Sequence, residues 1–301
     1  MSSRALDETQ AAPKVTQFLY ERTAPDTLTA YGVSERLHIG QTQFQQVELW
    51  TSPDHGKLLL LDGELQSASR DEFIYHETLV HPAVARCREP RTGLILGGGE
   101  GGTLRELLRP QCMEKVVMVD IDGEVVDWCR RVMPEHADGA FEDPRAELRI
   151  GDALKYMRDT PDQFDLIVSD LTEPTNVQNL STSLFSVEAF RLVHSRLAAG
   201  GVFALQASQG TLGQTETHLQ IVRNLRKIFK RVQTMLVHIP SFCCHWCFCV
   251  ASDEAELTVS KEVVEQRLIE RGVKGLKFYD GETDVRLNSL PLYLRKELRA
   301  L

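Results

Sequence analysis

The sequence predicts an α/β protein: a mostly parallel sheet with helices on both faces, preceded by a small antiparallel β domain. Three observations carry this. After Arg88, apolar strand-like segments alternate with helical ones, the pattern of a parallel sheet with helical crossovers. Before about residue 80, short strands are joined by turn signals instead. The chain has 301 residues, 42% hydrophobic and 26% charged, an ordinary globular composition with room for about two domains. The expected division is a flexible tail over 1–18, an N-terminal β domain over 19–80 and a main α/β domain over 81–301.

In chain order, Gln45–Trp50 and Lys57–Leu61 read as strands joined by the turn Ser52-Pro53-Asp54-His55-Gly56, and Leu61-Asp62-Gly63 closes the second. Asp71 to about Arg88 reads as a helix with Phe73, Leu79 and Val84 on its buried face. Leu94–Leu96 is a strand, followed by a glycine loop and the helical Thr103–Leu108. Val116–Val119, Ala146–Ile150, Phe164–Val168, Val202–Leu205, Val232–Val237 and Cys247–Ala251 supply further strands. Glu124–Met133 and Glu216–Phe229 are expected to be helical. The short Ile239-Pro240-Ser241 connection favours an antiparallel hairpin at one sheet edge.

Ligands of open α/β sheets bind at the carboxyl ends of the strands. Four strand ends here carry Gly97–Gly102, Asp120 with Asp122, Asp152, and Asp170. One such Asp would be read as a helix cap; a row of them points to a site. Gly97, Gly99 and Gly102 fit G-x-G-x-x-G between a strand and a helix, and Asp120 follows about 20 residues on, where a carboxylate reaches ribose hydroxyls. These features allow both a dinucleotide enzyme and a sulfonium-nucleoside transferase. Glu100 separates them. A helix N-terminus favours anions such as pyrophosphate, whereas a carboxylate inside the loop repels them and attracts an ammonium or sulfonium. Asp170 and Glu173, in Asp170-Leu171-Thr172-Glu173-Pro174, can hold a cationic amine and accept its proton.

These residues resemble a known family. Leu61–Gln66, Asp71–Glu77 with His81-Pro82, Leu96–Arg105, Val117–Asp122, Asp143-Pro144-Arg145, Gly151-Asp152-Ala153, Asp170–Pro174 and Phe278–Thr283 follow, in order, the motifs of spermidine synthases and related aminopropyltransferases. The resemblance implies a β-rich N-terminal domain and a Rossmann-like methyltransferase-type domain, in a homodimer or homotetramer. It implies decarboxylated S-adenosylmethionine as co-substrate, with no permanently bound cofactor, and 5′-methylthioadenosine as by-product. By position, Asp170 resembles the proton acceptor and Asp120 the ribose ligand. Asp152 and Ala153 resemble the adenine-contacting turn, and Gln45 a nucleoside ligand from the β domain. Tyr75, His76 and Glu100 resemble residues around the aminopropyl group and acceptor amine, with Glu173 beside the acceptor. The Asp-Leu-Thr-x-Pro form and His238-Ile239-Pro240-Ser241 look closer to thermospermine synthases and to bacterial enzymes acting on aminopropylagmatine. Phe242 stands where many relatives have Tyr, removing a hydroxyl on the acceptor side. The acceptor is therefore a di- or polyamine: putrescine, aminopropylagmatine or spermidine.

Competing classes fit less well. An S-adenosylmethionine methyltransferase shares the fold, but Glu100 opposes its carboxylated donor. A dehydrogenase would need a hydride-transfer partner, which is not evident. A non-catalytic polyamine- or nucleoside-binding protein is set against by Asp170, Asp120 and Tyr75 together. The net charge of −9 argues against a nucleic-acid partner, which needs clustered Lys and Arg. No apolar run approaches the roughly 18 residues of a membrane span. Seven cysteines and no apolar leader-like stretch point to free thiols in the cytoplasm. Cys244-x-x-Cys247 has zinc spacing but no second ligand pair to complete it, so no metal is expected and the cysteine-rich strand reads as packed in the sheet. His81 is expected to be structural, and His136 and His194 show no evident partner.

Overall fold

The computed structural model describes residues 14–24, 26–172 and 183–301. The chain divides into two compact units, up to Arg70 and from Asp71, ten residues before the expected boundary at 80. The physical reason is the helix that follows. Its Leu79, Val80, Ala83 and Val84 all lie in a core shared with the second unit's strands, so the helix belongs whole to that unit.

The first unit is antiparallel throughout. Strands β1 (Gln17–Ala24) and β2 (Thr27–Val33) form a two-stranded ribbon. β3 (Glu35–Gln41), β4 (Gln46–Ser52), β5 (Gly56–Leu61) and β6 (Glu64–Ala68) form a four-stranded meander. β1 thus begins inside the expected 1–18 tail, of which 1–13 lies outside the described residues. The Asp62-Gly63 turn has positive φ at both residues, 50° and 81°, as a two-residue type I′ hairpin requires.

The second unit is built on a seven-stranded sheet in the order β12-β13-β11-β10-β7-β8-β9. Its strands are β7 (Thr92–Gly97), β8 (Lys115–Asp120), β9 (Ala146–Ile150), β10 (Phe164–Asp170), β11 (Leu197–Gln209), β12 (Arg231–Ile239) and β13 (Cys244–Ser252). β7 to β11 pair with one another in parallel, and β13 runs antiparallel to both β11 and β12. The strands were read in the right order, and the hairpin lies at the sheet edge as expected. β11 begins five residues before the expected Val202, because Gly200 (φ 75°) sits in an irregularity within the strand and does not end it.

Strand alternation sends side chains to two faces. Ile95, Leu166, Val168, Val202 and Ala204 join one core with α1 (Glu72–Arg86) and α2 (Gly102–Leu108). Leu94, Leu96, Ile167, Phe203 and Leu205 join the other with α5 (Ala153–Asp159), α6 (Val187–Arg196) and α7 (Glu216–Leu225). Helices α3 (Gly123–Val132) and α4 (Pro134–Ala137) follow β8, while α8 (Lys261–Glu270), α9 (Gly281–Asn288) and α10 (Leu292–Arg299) close the chain. The result is the helix-covered α/β sheet, preceded by antiparallel β structure, that the sequence predicts. Among the described residues no helix is long and apolar enough to cross a membrane.

Buried ion pairs tie the C-terminal segment to α1. Glu77 accepts hydrogen bonds from the backbone N–H groups of Lys277, Phe278 and Tyr279, each at 2.8 Å. Arg86 forms a bidentate pair with Asp284 at 2.9 Å. The Phe278–Thr283 motif is thus an anchor, with Asp280 capping α9. His81 bonds Glu106 at 2.8 Å and stacks on Tyr279, the structural role expected of it. His194, expected to lack a partner, bonds Asp253 at 3.0 Å. Cys247 and Cys249 pack in the second core, and all seven cysteines are free thiols.

Candidate active site

β7 delivers the chain into the glycine loop beside the end of β10, where Gly97 pairs with Asp170. Gly97 has φ 82°, and a Cβ there would lie 2.3 Å from the Asp170 carbonyl oxygen, so both conformation and space require glycine. The Gly98 N–H donates to that carbonyl at 3.0 Å. At the loop's far end, a Cβ on Gly102 would lie 2.4 Å from the His76 ring. The motif glycines thus let carboxylates and an imidazole approach the loop.

Asp170 is gripped from two helices. Its Oδ1 accepts from the Tyr75 hydroxyl at 2.8 Å, and its Oδ2 from the Thr103 hydroxyl at 2.5 Å. Burial, then the negative charge of Glu100, push its pKa up to about 6, against the pull of His76 and the two hydroxyls. Asp120, half-buried at the end of β8, is likewise raised to about 6, chiefly by burial. Its Oδ1 accepts from the Asp122 N–H at 2.8 Å, and its Oδ2 lies 3.0 Å from where a Gly99 Cβ would stand.

Glu100 turns inward. It meets His76 Nε2 at 2.9 Å, while His76 Nδ1 meets Glu72 at 2.7 Å. Glu72 is in turn held by two hydrogen bonds from Arg105 at 2.7 and 3.1 Å. Burial alone would lower the pKa of His76, but its two carboxylates outweigh burial and raise it to about 10. Glu100 is held low by the same contact, which overcomes the cost of its own burial. His76 is therefore an imidazolium between two carboxylates.

Ligand atoms of His76, Glu100 and Asp170 lie within 4.8 Å of one another, close enough to suggest a metal. Both ring nitrogens of His76 are engaged, by Glu72 and Glu100, which leaves the ring no free nitrogen to ligate a metal. The donor set does not fit a cation of that kind.

Other expected residues fall out differently. Asp122 and Asp152 are helix caps: Asp152 is exposed and accepts from Leu154 and Lys155 N–H groups at 2.7 and 3.2 Å. The Gly151 N–H donates to the Asp120 carbonyl at 2.8 Å, which places the Gly151–Ala153 turn beside Asp120, and Ala153 itself is buried. Gln45 closes the Thr42–Gln45 turn between β3 and β4 in the first unit. Glu173 lies outside the described residues. Phe242 meets Tyr75 edge-on at 6.1 Å and Trp246 at 5.0 Å, and Phe248 meets Tyr75 at 5.1 Å, giving the Asp170 side an aromatic wall.

Sequence reading passed over Thr103, Glu72, Arg105 and Gln206. The amide of Gln206 donates to the Leu171 carbonyl at 2.7 Å, fixing the segment after Asp170. Glu72 was findable from its i,i+4 spacing to His76. Thr103, Arg105 and Gln206 reach their partners only through the fold.

Glu100 and Asp170 lie beside the His76 imidazole, and Asp120 adds a third carboxylate at the next strand end. Fold and site together define a group transferase on a methyltransferase-type sheet, with a site made for a cation. Residues 72–261 match the spermine/spermidine synthase domain, and residues 17–69 the spermidine synthase tetramerisation domain. A polyamine aminopropyltransferase of Synechococcus is 40% identical over 96% of this chain and 95% of its own. The thermospermine synthase of Arabidopsis thaliana is 38% identical over 87% of this chain and 75% of that one. A solved spermidine synthase in complex with the transition-state analogue AdoDATO superposes with a TM-score of 0.88 at 28% identity, over 98% of this chain and 99% of that one. The chain belongs to the spermine/spermidine synthase family.

Proposed function

We propose that this protein transfers an aminopropyl group from decarboxylated S-adenosylmethionine to a di- or polyamine, releasing 5′-methylthioadenosine. The observation that carries the reading is Asp170, a strand-end carboxylate clamped beside a glycine loop whose own Glu100 is ionised. The donor carries a sulfonium and an ammonium, and its lack of a carboxylate matches a loop that would repel one.

In the reaction, the lone pair of the acceptor's primary amine attacks the methylene carbon next to sulfur. The carbon–sulfur bond breaks with its electron pair passing to sulfur, which leaves as a neutral thioether. Asp170 takes the amine proton. With a pKa of about 6 it is ionised at neutral pH, yet a better base than an ordinary carboxylate. The sulfonium is already a good leaving group, so positioning and desolvation supply most of the rate. Asp120 suits the ribose hydroxyls, and the Gly151–Ala153 turn the adenine. Asp152 uses only Oδ1 for capping, so its second oxygen and Ala153 can both serve that contact. Tyr75, His76 and Glu100 suit the aminopropyl group and the attacking amine, while the roles given to Glu173 at the acceptor and Gln45 at the nucleoside rest on the resemblance of the sequence.

The match to a tetramerisation domain and the exposed Phe18, Tyr20 and Leu28 of the same unit support a homotetramer or homodimer. Seven free cysteines support a cytoplasmic location. The test is turnover with decarboxylated S-adenosylmethionine and a panel of putrescine, agmatine, aminopropylagmatine, cadaverine and spermidine, with product regiochemistry resolved. Aminopropylation of at least one acceptor is expected, and none with S-adenosylmethionine itself. Failure on every acceptor while nucleoside binding persists would leave a binding protein instead.

A further inference from the structure

Asp170 is held at two points, and the two holders differ. Tyr75 is half-buried on α1 among aromatic rings. Thr103 is fully buried in the first turn of α2, where a β-branched side chain has few rotamers. Its hydroxyl reaches Asp170 Oδ2 at 2.5 Å, the length of a charge-assisted O–H···O⁻ bond. Neither the reaction described above nor the roles carried by the family motifs uses this hydroxyl.

We propose that Thr103 is a positioning residue for the transfer, its hydroxyl anchoring Asp170 Oδ2 so that Oδ1, shared with Tyr75, is the oxygen that receives the amine proton. The inference rests on Asp170 being the proton acceptor. Asp170 needs such an anchor because of what surrounds it. Glu100 of the glycine loop repels its charge and Asp120 at the end of β8 adds to the negative field, while the charge of His76 of α1 opposes them. A carboxylate in that field lowers its energy by turning away from Glu100 or by taking up a proton early. The Thr103 hydroxyl opposes both, since it donates only to an oxygen in one place and favours the ionised form.

The sign of the pH effect follows. Thr103 and Tyr75 both lower the pKa of Asp170, so losing one hydroxyl moves it further above its ordinary value. The group must be ionised to accept a proton, so the acidic limb of kcat/KM moves to higher pH.

The experiment compares wild type with Thr103→Val, which keeps the shape and removes the hydroxyl, and Thr103→Ser, which keeps the hydroxyl. Thr103→Val is expected to lose about tenfold or more in kcat and to shift the acidic limb upward by about one pH unit. Its KM for the aminopropyl donor stays within about twofold. Thr103→Ser restores both rate and profile. Should Thr103→Val not fold, Thr103→Ala is read in the same way, with binding of 5′-methylthioadenosine as the check on the site. An unshifted profile with kcat within about twofold overturns the proposal, and so does a Thr103→Ser variant as impaired as Thr103→Val, which would assign the residue to packing. Asp170→Asn in parallel separates the two levels. If it keeps wild-type activity, the proton-acceptor reading fails and takes this one with it; if it is inactive while Thr103→Val is normal, only the role of Thr103 fails.

Discussion

Two carboxylates of the site, Asp120 and Asp170, are pushed up to about 6, above the ordinary Asp value of 3.8, with burial as the leading cause. A ligand with two positive charges reverses that shift by favouring the ionised form. Binding is therefore coupled to proton loss: below pH 6 the ligand must first displace protons, and above it the site is already charged. Decarboxylated S-adenosylmethionine is expected to bind about tenfold more tightly at pH 7.5 than at pH 5, the neutral 5′-methylthioadenosine by no more than about threefold. Calorimetry at the two pH values checks this, and equal pH dependence for the two ligands would contradict it. His76 lies on the other side of the balance. Raised to about 10, it stays cationic across this range and keeps Glu100 ionised. Glu100 is therefore not an open carboxylate: its charge is paired with the His76 imidazole at 2.9 Å.

Secondary-structure elements explain why these groups meet. α1 places Glu72, Tyr75 and His76 at i, i+3 and i+4, one face of a helix, and α2 crosses it close enough for His76 to lie over Gly102. A Gly102→Ala variant puts a methyl group 2.4 Å from the ring carbon. Moving the imidazole breaks its bonds to Glu72 and Glu100, so we expect a loss of about 1–3 kcal/mol in stability and a fall in activity larger than that of Gly63→Ala in the turn between β5 and β6. Thermal melts and steady-state rates decide it; a Gly102→Ala enzyme with wild-type rate and melting temperature would show that the close approach is dispensable. At this scale the sequence was most readable where periodicity was strong. β8 and β10 end at the expected Asp120 and Asp170, β11 runs past the expected Leu205 to Gln209, and α1 begins and ends within two residues of the expected span. β1 and β3 were missed because their apolar Phe18, Tyr20 and Ile39 stand exposed, and β2 because it buries only Tyr31 and Val33 at one end while Leu28 is exposed. α8 to α10 were missed for a related reason: each buries only two or three side chains under a charged surface.

Across the whole molecule, the motifs divide into those that bind and those that brace. The glycine loop, Asp120 and the end of β10 converge on one site, whereas Glu77, His81, Asp280 and Tyr279 hold the C-terminal segment against α1. Both sets are ordered along the chain and look alike in sequence; only burial and partners tell them apart. The same holds for the strand-end carboxylates, where Asp152 and Asp122 cap helices while Asp170 is held by the Tyr75 and Thr103 hydroxyls beside the glycine loop. What stayed hidden in the sequence was contact across long separations, such as Tyr75 to Asp170 or Arg86 to Asp284, which no local pattern encodes. The central claim is that Asp170 accepts the proton of the attacking amine. The most direct test is single-turnover aminopropyl transfer by Asp170→Asn at saturating donor and acceptor. A rate at least about a hundredfold below wild type, with 5′-methylthioadenosine binding intact, is the predicted result, and a rate within about tenfold, roughly 1.4 kcal/mol, would contradict it.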